Sequence, residues 1–152
     1  MPPTDPIVTR IVAFLTEIGI PVLITALPAD TLLPAMTVRH GTLLVDPTRL
    51  TRPGDMLHEA GHIAVSDPAI RTMLADVGGD PGEEIAAICW SYAAARALGL
   101  DPAIVFHDDG YRGDGAWLET TFAGGTYIGL PLLIWYGLTT AETYPEMQRW
   151  LR

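Results

Sequence analysis

An α+β fold is predicted, with an N-terminal helix and a small antiparallel sheet followed by two long helices and a helical C-terminal part. Three observations predict it. Ile7, Ile11, Phe14, Leu15 and Ile18 recur at helical spacing. Two short strand-like runs, 35–39 and 42–46, flank a His40-Gly41 turn. Asp80-Pro81-Gly82-Glu83 opens an alanine-rich run that reaches Leu98. The 152 residues are read as one domain, 1–152, with room for a core. Hydrophobic residues at 49% and charged residues at 18% place the chain among globular proteins.

Each element has a local reason. Asp5 caps a helix whose first residue is Pro6, and Gly19 ends it. Pro21 to Thr25 reads as a strand. Ala35–Arg39 and Thr42–Asp46 read as a hairpin, with His40 as a turn residue. A helix follows from Pro53 to Val65, stopped by Ser66-Asp67-Pro68. Ala69 to Val77 reads as a short helix broken by Gly78-Gly79. The next helix runs from an Asp80 cap to Gly99, with Glu83 in the capping-box position. Pro102 to Phe106 and Trp117 to Phe122 read as short helices, Leu130 to Tyr136 as a buried one and Ala141 to Leu151 as a C-terminal one. His107 to Gly115 reads as a loop. Its Asp and Gly residues lack EF-hand spacing, so a polar turn is expected rather than a calcium loop. Cys89 sits in an apolar run and is expected in the core. The tryptophans and tyrosines are expected mostly in packing roles.

The chemistry concentrates in His58-Glu59-Ala60-Gly61-His62. Two histidines four residues apart leave a helix from one face, so both imidazoles can reach one metal ion. A catalytic zinc takes three protein ligands and keeps one position open. The third ligand is expected from a carboxylate early in the helix after Asp80. Spacing alone leaves both Glu83 and Glu84 open. Glu83 has the competing capping role, whereas Glu84 shares a face with the small residues Ala87, Ser91 and Ala95, which would let two helices approach closely. Glu84 is therefore preferred. Glu59 is the expected general base, taking a proton from a water whose pKa zinc lowers towards about 7. His107, Tyr111 and Arg112 share the following loop and are candidate donors to an oxyanion.

His58-Glu59-Ala60-Gly61-His62 followed by Glu84 resembles the gluzincin zinc metallopeptidases, and among them the small ImmA/IrrE-type proteins. In that family the glutamate is followed by a small residue three positions on and an aromatic six positions on. Ala87 and Trp90 stand at those places, which also favours Glu84. The resemblance covers residues 5 to 98. It implies a zincin-like fold, zinc held by His58, His62 and Glu84, and Glu59 as catalytic acid and base. Ile88 departs from the asparagine or aspartate usual in the family, and residues 107–131 match no family segment.

A zinc-dependent peptidase acting on a protein or peptide is thus expected. The alternative is a metal-binding regulatory or partner-binding module with little or no hydrolysis. Hydrolysis of a non-peptide amide is a weaker third reading. A net charge of −9, with nine scattered basic residues, argues against a nucleic-acid partner. The longest apolar run, 128–138, contains Gly and Pro and is too short to span a bilayer. The opening Met1-Pro2-Pro3-Thr4-Asp5-Pro6 lacks the basic region of a signal peptide, so a cytoplasmic location is expected. The apolar C-terminal third is expected to pack on the core, with an oligomer surface as the alternative.

Overall fold

Asp5 starts the first helix by accepting a hydrogen bond from the Ile7 N–H at 2.8 Å. The computed structural model describes residues 5–31, 35–75, 80–107 and 114–152. Helix α1 spans Pro6–Ile18 and ends on Gly19, whose φ of 101° is the left-handed cap a glycine supplies. Ile11 and Leu15 form its buried stripe.

Three short strands follow: β1 (Val22–Ile24), β2 (Met36–Arg39) and β3 (Thr42–Val45). The hairpin forms as expected. β2 and β3 pair antiparallel, with Met36 opposite Val45 and Arg39 opposite Thr42. His40 and Gly41 close it with φ of 51° and 70°, the positive pair that a two-residue turn requires. The expectation of a wholly antiparallel sheet is corrected at β1. The sheet order is β1-β3-β2, and β1 runs parallel to β3. β2 does return in the direction opposite to β1, but two strand positions away. The hairpin then lays β3 in the gap. The strand residues themselves carry no mark of this direction.

Helix α2 (Asp55–Val65) begins two residues later than expected and ends at Ser66 in extended conformation. It buries Met56, Leu57 and every residue from Glu59 to Val65. Helix α3 (Pro81–Ala97) starts on Asp80, which accepts from the Gly82 N–H at 2.8 Å. Its residues 86 to 95 are all buried, so it forms the centre of the molecule. Cys89 lies there, fully covered, as the sequence suggested. Gly61 lets α2 come against α3: a Cβ added at Gly61 would meet the Ala87 carbonyl oxygen at 3.0 Å and the Ala87 Cβ at 3.3 Å.

The remainder departs further. The helix expected over 69–77 is a single 3-10 turn at Arg71–Met73, which buries none of its residues and so has nothing to extend it; residues 76 and 77 lie outside the described residues. Pro102 to Phe106 likewise holds only a turn, Pro102–Ile104. Helix α4 spans Gly115–Ala123. Helix α5, Leu130–Trp135, has six residues and buries only Leu133, while Trp135 is 81% exposed, so the expected buried helix is corrected to a surface one. Trp117 is also exposed. No helix forms over 141–151. Pro145 has no N–H to donate and disfavours helix at Tyr144. The Leu138 carbonyl instead receives the Gln148 and Arg149 N–H groups. Among the described residues no helix is long and apolar enough to cross a membrane.

Candidate metal centre

Asp55, His58, Glu59 and His62 occupy one stripe of α2, at the three- and four-residue spacing that stacks side chains over successive turns. Glu84 faces this stripe from the first turn of α3. His58 Nε2 lies 3.1 Å from Glu84 Oε1, and His62 Nε2 donates to Glu84 Oε2 at 2.8 Å. The imidazoles stand edge to face with centroids 4.9 Å apart. One ligand atom from each of the three residues falls within 4.8 Å of the others. The structure therefore brings His58, His62 and Glu84 together.

The donor set suits a divalent cation. Two imidazoles and one carboxylate leave a fourth tetrahedral position open, the pattern of a catalytic rather than a structural zinc. Metal bonds of about 2.1 Å place tetrahedral ligand atoms about 3.4 Å apart. The two imidazole nitrogens stand 3.1 and 2.8 Å from the two separate oxygens of the Glu84 carboxylate, and one ligand atom of each residue lies within 4.8 Å of the others, so modest side-chain shifts would bring all three onto one ion. Glu59 adds an independent sign. It is 5% exposed, and its Oε2 has no hydrogen-bond partner among the described residues. A buried carboxylate oxygen without a partner calls for a donor, and a water at the open position would supply one.

The electrostatics follow from burial and from these contacts. Burial pushes the Glu59 carboxyl above the usual range, against the opposing charges of His58 and His62. Hydrogen bonds from His58 and His62 hold Glu84 well below that range. Burial alone would lower His62, but the Glu84 hydrogen bond and the Glu59 and Glu84 charges outweigh it and raise the imidazole. Glu84 is 42% exposed, so the cluster opens to solvent on that side. A cavity of about 550 Å³ lined by Arg96 and Trp150 lies elsewhere. Arg96 is twelve residues past Glu84 on α3, about 18 Å along the axis.

His107 takes a different place from the one its loop suggested. Its Nε2 donates to Asp55 Oδ1 at 2.6 Å, one turn before His58 and Glu59, while its buried Nδ1 has no partner among the described residues. Tyr111 and Arg112 lie outside the described residues. Asp55 escaped the sequence reading, although its place three residues before His58 and four before Glu59 was visible. No protein-family model, curated protein or solved structure matches this chain.

Proposed function

We propose that this protein is a zinc-dependent metallopeptidase of zincin type that hydrolyses a protein or peptide substrate in the cytoplasm. The observation that carries the reading is the convergence of His58 and His62 Nε2 on the Glu84 carboxylate, beside a buried Glu59 with one oxygen unpartnered. His58, His62 and Glu84 would hold the ion. When bound, zinc would lower the pKa of its water to about 7 and polarise a carbonyl. Glu59 would accept a proton from the attacking water and return it to the departing amine. Burial, which raises its proton affinity, suits it to both halves of that exchange.

Two measurements test this. Elemental analysis of the parent is expected to give one zinc per chain, and His58→Ala none; a parent that stays free of metal after zinc loading overturns the reading. Peptide pools are then offered to the zinc-loaded parent and to Glu59→Gln. Cleavage by the parent and a loss of about a thousandfold or more in the variant support Glu59 as the base, by analogy with removal of other proton-transfer groups. Zinc bound without cleavage of any pool would instead assign a metal-binding regulatory module.

A further inference from the structure

The two helices that carry the metal ligands are fastened a second time, beyond the ligands along each helix. The last turn of α2 follows directly after His62; its Ile63 carbonyl accepts from the Ser66 N–H and hydroxyl, and its Ala64 and Val65 carbonyls lie past the reach of an intrahelical donor. Residue 152 reaches them: its N–H donates to the Ala64 carbonyl at 2.9 Å, and its Nη1 to the Val65 carbonyl at 3.2 Å. Arg71 joins from the 3-10 turn. Its Nε donates to the Ile63 carbonyl at 3.2 Å, its Nη2 to the Ser66 carbonyl at 3.3 Å, and the same Nη2 binds the Arg152 carbonyl. Two guanidinium groups thus sit at the negative end of the α2 dipole. On α3, the Trp90 Nε1–H donates to the Trp150 carbonyl at 2.9 Å, and the two indoles meet edge to face at 5.4 Å. Trp90 lies six residues past Glu84 on that helix.

We infer that residues 150–152 form a brace across α2 and α3, and that seating this brace and binding a divalent metal at the His58-His62-Glu84 cluster favour one another. The inference rests on the metal-centre reading above. Both fasteners hold the same pair of helices, so whichever forms first reduces the ordering left for the other, and the coupling must run both ways. The brace is also separable from the core. Cavities of about 550 and 500 Å³ flank Trp150 on two sides. The segment is therefore held by its named bonds and ring contacts more than by enclosure. Arg71 and Arg152 act through α2 and are positioning residues.

The test uses the full chain with zinc alone as the probe. Zinc affinity is measured by competition with a chromophoric chelator for the parent, for Arg71→Gln and for Leu118→Val, a core change in α4. Hydrogen exchange of the Trp90 Nε1–H is followed by NMR in the parent, with and without zinc. A variant that only lowers global stability leaves nearly all molecules folded, and so leaves zinc affinity unchanged. The expected results are a loss of about tenfold in zinc affinity for Arg71→Gln, none for Leu118→Val, and exchange at Trp90 slowed by zinc about tenfold more than exchange of the buried Phe122 amide in α4, which reports global stabilisation alone. Should Arg71→Gln fail to fold, the exchange measurement decides alone. Parent-like affinity in Arg71→Gln, or exchange at Trp90 slowed by zinc no more than at Phe122, overturns the brace while leaving the metal centre standing. A parent that binds no zinc overturns both.

Discussion

Removing the His62 imidazole would leave His58 and Glu84 as a two-ligand site, and the Glu84 carboxylate would lose its 2.8 Å partner. His62→Ala is expected to weaken zinc binding by more than about a hundredfold, since loss of a mere supporting partner costs about 10- to 100-fold; a chelator-competition titration reads this. Cys89 gives a second prediction. Burial pushes its thiol from 9.0 up to about 12. Below pH 9 the group is protonated whether the chain is folded or not, so it has no effect on stability. Between about 9 and 12 the unfolded chain releases the proton first, so stability falls as pH rises through that window. Cys89→Ala is expected to flatten the fall, as seen in chemical denaturation at pH 8 and pH 10. Alkylation of the folded parent is expected to be on the order of a thousandfold slower than that of the denatured chain. At this scale the motif was legible because its information is local: four-residue spacing puts two imidazoles on one face whatever surrounds them. That Glu84 would turn towards the imidazoles was readable from its small neighbours. The Arg71 and Arg152 contacts with the end of α2 were not, because the residues they join are brought together only by the finished fold.

The element that decides the geometry of the cluster is the α2–α3 contact. Gly61 stands between the two histidines in sequence and touches Ala87, which is one turn past Glu84. A valine at Gly61 would drive branched carbons into the Ala87 backbone. Gly61→Val is expected to cost about 1–3 kcal/mol through overpacking, and to weaken zinc binding as well by moving Glu84 away from the imidazoles. Thermal unfolding of the zinc-free protein and zinc titration check the two effects separately. Normal zinc affinity in a destabilised Gly61→Val would show that the helix spacing does not set the site. The elements that read well from sequence, α1, the hairpin and α3, all carry their own start or stop signals: Asp5 with Gly19, His40 with Gly41, and Asp80 with Pro81. The segment 141–151 carried helix-compatible residues on either side of Pro145, and the proline decided the outcome. The parallel pairing of β1 was invisible for another reason: Val22, Leu23 and Ile24 suit either direction equally.

Across the whole molecule, the His58-His62-Glu84 cluster, the central helix and residues 150–152 are joined through α2 and α3. Zinc that binds only the folded state adds stability by mass action. At a free concentration a hundred times the dissociation constant, the gain is about 2.7 kcal/mol. For a chain of this size that corresponds to a rise of about 5–10 °C in Tm. The rise is expected in the parent, to vanish on adding a chelator, and to be absent in His58→Ala; differential scanning calorimetry measures it. The side-on exposure of Glu84 also bears on traffic between the protein and its surroundings. An ion caged on every side leaves only when the cage unfolds, whereas one gripped by a half-uncovered carboxylate can be traded in place. Copper stands above zinc in the affinity series for nitrogen and oxygen donors. Cupric salts added to the purified protein are therefore expected to evict the native ion within an ordinary incubation, turning a colourless, spectroscopically silent centre into a blue, paramagnetic one.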